Sequence, residues 1–143
     1  MTIKTRRILL LTLIVGLLVA ASSCSLAKGK EIGERAVTQF HNQINAAQYH
    51  EIYSQSDEGF RKASSEADTV ALFEAVRRKL GSVKNSNQVG WHVNATPTGT
   101  IVSLTYEVEF SEGKGTEQFV FHVSGDRALL FNYSVNSPLL ITK

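Results

Sequence analysis

The 143-residue chain has one cysteine, Cys24, and that scarcity excludes several classes at once. No disulfide can close within the chain, and no zinc site built on paired cysteines is available. Proline is nearly as rare, at two residues, and the ten glycines follow no period, which excludes collagen-like architecture. No internal repeat or low-complexity tract is visible. A G-x-S-x-G elbow for a nucleophilic serine is missing, and Gly113-Lys114-Gly115 reads as hairpin punctuation, not a phosphate loop. Apolar runs are few as well. The longest, residues 8–21, is interrupted only by Thr12 and Gly16.

That run has Lys4, Arg6 and Arg7 before it and small residues after it, the three parts of a secretory signal. At about 1.5 Å per residue, crossing a ~30 Å hydrocarbon core takes about 20 apolar residues, so the run is too short for a permanent span. Ala21-Ser22-Ser23-Cys24 resembles the lipobox of bacterial lipoproteins, with Ala21 where leucine is usual. The resemblance implies that a diacylglycerol joins the Cys24 thiol and that residues 1–23 are then removed as a signal peptide. The partner at this end is then membrane lipid, through acylated Cys24. Ser25 after the cysteine resembles the outer-membrane sorting class of enterobacterial lipoproteins. The expected address is exported and lipid-anchored, on the periplasmic face of the outer membrane if the cell is Gram-negative. Two other outcomes stay open: cleavage after Ser23 by an ordinary signal peptidase, or an uncut leader acting as a short anchor. Lipidation fits the thiol best, because an unpaired cysteine is a liability in an oxidising compartment.

The whole chain has a formal charge of +2, but Lys4, Arg6 and Arg7 carry three of its positive charges, which leaves residues 24–143 at −1. No basic stripe remains for nucleic acid. Residues 24–30 read as the lipidated N-terminus and a short tether, reaching about 20 Å if residues 25–30 are extended. Beyond the tether, residues 31–137 have the size of one domain, and residues 138–143 form an apolar-tipped tail.

Within the domain, Ile32, Ala36, Phe40, Ile44 and Ala47 step by three and four, predicting an amphipathic helix over 31–48. A shorter helical piece places Tyr49, Ile52 and Tyr53 on one side and breaks at 56–59. Ser65 and Asp68 form a capping-box-like start for a helix through Leu80, with Val70, Phe73, Val76 and Leu80 inward and Gly81 as its stop. The period then drops to two. Val89, Trp91, Val93 and Ala95 alternate with polar or small residues, and so do Val102, Leu104, Tyr106, Val108 and Phe110. Phe119, Phe121 and Val123 come next, then Leu129, Phe131, Tyr133 and Val135. Pairing Val93 with Val102, Val108 with Phe119 and Val123 with Leu129 closes three hairpins, with Gly113-Lys114 as the middle turn. The expected fold class is α+β: N-terminal helices packed on one face of a four-stranded antiparallel meander.

This layout, with Phe40 and Ile44 on the first helix, the 49–60 connection, Lys79-Leu80-Gly81 and the closing strands, resembles the cystatin-like, nuclear-transport-factor-two-like superfamily. More narrowly, it resembles small bacterial lipoproteins with such a domain. In that superfamily a bent sheet and its helices often enclose a cone, and some members place acid–base groups inside. The candidate pocket here holds Tyr49, Tyr53, Trp91, Tyr106 and Tyr133, though inward aromatics in a small domain are usually core. His92 opposite Ser103 and His122 opposite Thr105 would lie two strands apart, roughly 10–12 Å, too far for one metal ion. Glu107 and Glu109 share the polar face, where little desolvation is available to raise a pKa. No metal site, cofactor or catalytic residue is therefore expected. The expectation is a non-catalytic binding or assembly module on a membrane anchor. The alternative is a small-molecule or lipid-binding protein or small enzyme using the cone. An acid–base pair buried beside Tyr106 or Trp91 would favour that alternative, and a filled core would oppose it. The tail's Leu139, Leu140 and Ile141 either pack on the domain or meet a partner.

Overall fold

The first helix starts earlier than its apolar period suggests. In the computed structural model, which describes residues 26–142, α1 spans residues 26–45. Residues 26–30, expected as a tether, are therefore helical. Packing explains the extension, as a Cβ added at Gly29 would lie 3.4 Å from Thr100 Cγ2, and at Gly33 3.0 Å from Val102 Cγ1. Lys30 and Glu34 also pair one turn apart. Ile32, Val37, Phe40 and Ile44 form the buried face of α1. The helix ends at residue 45, not 48, because Ala47 turns left-handed at φ 57°. The leader and Cys24 lie outside the described residues.

Three helices come next: α2 (Tyr49–Gln55), α3 (Glu58–Ala63) and α4 (Glu66–Leu80). Ser65 caps α4 as expected, its hydroxyl accepting from the Asp68 N–H. Phe73, Val76 and Leu80 face the core, and Gly81 ends the helix at φ 81°. Four antiparallel strands then run in sequence order: β1 (Val83–Thr96), β2 (Gly99–Phe110), β3 (Lys114–Ser124) and β4 (Arg127–Asn136). Helices cover one face of this sheet, so the fold is α+β. Phe40, Phe73, Phe119 and Tyr133 meet at the centre, with Phe40 4.8–5.6 Å from the other three ring centroids. The tail forms α5 (Leu139–Thr142); Leu139 and Leu140 pack on the core and Ile141 stays exposed.

Val93 pairs with Val102 as expected, whereas the other two hairpins close differently. Val108 pairs with Gly115 and Phe119 with Leu104, so the turn is at Ser111 and Glu112 and not at Gly113-Lys114. That turn is tied to the end of α4: Ser111 N–H donates to the Ser82 carbonyl at 2.8 Å and Glu112 N–H to Leu80 at 3.0 Å. The displacement is even, so each residue keeps its face. In the last hairpin Ser124 pairs with Arg127 across a tight Gly125-Asp126 turn, and Val123 pairs with Ala128, not Leu129. That one-residue change turns Leu129 outward and Leu130 inward. A bulge at Phe131, which is 41% exposed, restores Tyr133 and Val135 to the inner face. Another irregularity at Val89 and the open edge of β1 leave Val89 and Trp91 exposed, where both were expected inward.

Candidate functional site

Alternation inward along β3 reaches one residue that is not apolar. Glu117 sits opposite Tyr106 of β2 and Val135 of β4, and is 1% exposed. Burying a lone carboxylate costs several kcal/mol, and here both oxygens have donors. His41, on α1, places Nε2 2.6 Å from Oε2, and the Tyr133 hydroxyl donates to Oε1 at 2.6 Å. An ionised carboxylate only accepts, so His41 donates through Nε2. The Tyr106 and Phe119 rings flank the imidazole at 6.4 and 5.8 Å. Burial, reinforced by the Glu117 charge, pushes the Tyr133 phenol well above its ordinary value. Burial, with Glu34 adding to it, pushes Tyr106 up to about 12. Both phenols therefore stay protonated, and Tyr133 remains a donor to Glu117.

The five expected pocket residues separate into three groups. Tyr49, Tyr106 and Tyr133 belong to the filled core. Tyr53 is half-buried, its hydroxyl donating to the carbonyls of Arg61 and Ser64. Trp91 is 59% exposed at the sheet edge, with the Lys30 ammonium 5.7 Å from its ring. Sequence reasoning missed Glu117, although the spacing of Phe119, Phe121 and Val123 points at it: two residues before Phe119 is an inward position.

A second polar cluster lies on the sheet's other face. Asp57, between α2 and α3, fastens this corner to β4, its N–H donating to the Leu130 carbonyl at 2.8 Å. Its Oδ1 accepts from the Gly59 N–H at 2.7 Å and caps α3. Its Oδ2 lies 2.9 Å from His122 Nδ1, which fixes Nδ1 as the donor and leaves Nε2 unused in this pair. His122 pairs with Ile101 and Leu129, not with Thr105, and its ring lies 4.4 Å from that of Phe131. Burial raises the Asp57 carboxyl, but the His122 hydrogen bond and the Gly59 N–H outweigh it and hold the group below its ordinary value.

These residues border a cleft of about 340 Å³, lined also by the apolar Ile101 and Leu129 and by Arg127, Ser124 and Thr98. No ion pair engages Arg127 among the described residues. The other histidines stand apart. His50 meets Glu66 at 2.9 Å on the surface, and that bond raises its pKa. His92 is exposed opposite Ser103. Among the described residues no three histidine or carboxylate side chains gather to hold a metal ion, and no helix is long and apolar enough to cross a membrane.

Residues 36–129 match a family described as "Protein of unknown function (DUF4019)". The chain belongs to that family. The DUF4019 region takes in His41, Asp57, Glu117, His122 and Arg127 and stops short of Tyr133. Among curated proteins, none matches the chain.

Proposed function

We propose that this DUF4019 protein is a lipoprotein of the cell envelope, held to a bacterial membrane through acylated Cys24, whose cystatin-like domain is a non-catalytic binding module. The observation that carries this reading is the packing of α1 on the sheet close in sequence to Cys24, with Gly29 against Thr100 and Gly33 against Val102 of β2. Gly29 follows Cys24 by only five residues, so acyl chains on Cys24 would keep the folded domain within about 18 Å of the bilayer even if that stretch were extended. Two or more chains on one residue give the stable anchoring that a single chain lacks. The filled aromatic interior supports a non-catalytic role, because the space that a cone-type enzyme would give its substrate is taken up by Phe40, Phe73, Phe119 and Tyr133.

The test is intact-mass spectrometry of membrane-extracted protein beside Cys24→Ala. Native protein should begin at Cys24 with added acyl mass, and the variant should lose membrane retention. An unmodified thiol, or a chain starting elsewhere, overturns the anchor.

One observation favours the alternative. His41 and Glu117 form a buried acid–base pair beside Tyr106. If the interior opens to admit an apolar ligand, an apolar dye should bind the native protein saturably, and Phe73→Trp should block it. Without such binding the pair is structural.

A further inference from the structure

The corner where α1 enters the fold is also where the β1–β2 and β3–β4 hairpins end. Lys28 of α1 reaches Asp126 in the β3–β4 turn at 2.9 Å, and Gly29 abuts Thr100 just past the β1–β2 turn. The cleft of about 340 Å³ opens beside this corner, on the outer face.

The acidic groups beside it are already engaged. Asp126 pairs with Lys28, and Asp57 accepts from His122 and Gly59. Arg127 comes directly after Asp126 and has no such partner among the described residues, so its guanidinium is the uncompensated charge at this cleft. His122, whose Nδ1 donates to Asp57, adds an Nε2–H donor only as the imidazolium, and Ser124 and Thr98 bring hydroxyls to the same cleft. With Arg127, these groups come from two strands and a turn. A planar carboxylate is satisfied by one guanidinium taken side-on, whereas a tetrahedral oxyanion suits donors converging from several directions. Ile101 and Leu129 add apolar surface where the anion's organic part would lie.

We propose that this cleft binds a phosphate-type oxyanion borne on an organic group, with Arg127 and the imidazolium form of His122 holding the anion and Ile101 and Leu129 meeting the attached carbons. The source is either the headgroup of a phospholipid or a free phosphate ester. This inference deepens the binding-module reading and names the ligand class of that module. Its chemistry does not require Cys24 to be acylated, so failure of the intact-mass test leaves it standing.

The experiment is an NMR titration of full-chain protein in nonionic detergent, following the His122 imidazole and Arg127 guanidinium signals. His122→Gln supplies the histidine assignment. The probes are glycerol 3-phosphate and dihexanoyl-phosphatidylglycerol. Saturable shifts with the lipid alone assign the site to headgroups, and shifts with glycerol 3-phosphate alone assign it to free esters. Shifts with both support the phosphate class itself. Arg127→Gln should weaken binding roughly tenfold, as expected for losing a charge-assisted contact, while Arg35→Gln, a nearby cation outside the cleft, should leave it unchanged. Arg127 is exposed, so its variant should keep the native spectrum elsewhere. The proposal is overturned if neither probe saturates, or if Arg127→Gln binds as tightly as the native chain.

Discussion

Tyr133 donates its phenol to the Glu117 carboxylate at 2.6 Å, joining β4 to β3 where the acid is 1% exposed. With His41 on the second oxygen, one charged group ties α1, β3 and β4 together.

Such a group is costly to leave half-satisfied. Tyr133→Phe keeps the ring packing against Phe40 and Phe119 but removes one donor, and should destabilise the fold by about 1.5–3 kcal/mol, the range for a hydrogen bond to a charged partner. Glu117→Ala should cost more, about 3–5 kcal/mol, because it also strips His41 of its partner. Urea denaturation with an unchanged m-value measures both. A Tyr133→Phe protein as stable as the native one would mean that water reaches Glu117.

Asp57 gives the domain an acid sensitivity of predictable sign. Its carboxyl, only 17% exposed, titrates below the ordinary value when folded. The unfolded chain therefore binds its proton first as the pH falls. The contribution is fully present above about pH 4, the unfolded value, and is lost as pH falls through the folded one. Thermal melts between pH 6 and 3 should show Asp57→Asn less stable than the native protein at pH 6, with the gap closing towards pH 3. A gap that widens on acidification would contradict the pairing.

The limits of reading this fold from sequence lie in particular residues. The helix and strand periods identify the layers, since Phe73, Val76 and Leu80 repeat at helical spacing and Leu104, Tyr106 and Val108 at strand spacing. Register was less accessible. Gly113-Lys114 is as plausible a turn as Ser111-Glu112, and only the end of α4 selects between them through the Leu80 and Ser82 carbonyls. The bulge at Phe131 has no local signature, so Leu129 and Phe131 read as inward beside Tyr133. Both polar clusters were hidden for a related reason. His41 and Glu117 are 76 residues apart, and Asp57 and His122 65, so packing alone brings each pair together.

Ala47 offers a test in the stabilising direction. The end of α1 forms a Schellman turn, with the Gln48 N–H donating to Gln43 at 2.9 Å and the Ala47 N–H to Ile44 at 3.2 Å. This turn requires a left-handed residue, and alanine occupies the position at φ 57°. A Cβ there costs roughly 1–2 kcal/mol, while glycine loses about 0.5–1 kcal/mol more backbone freedom on folding. Ala47→Gly should therefore stabilise the domain by about 0.5–1 kcal/mol. Ala46→Gly is the control: its φ is not positive, so it should suffer only the entropic loss and unfold more easily. Equal losses from both substitutions in urea would show that α1 does not end in this turn.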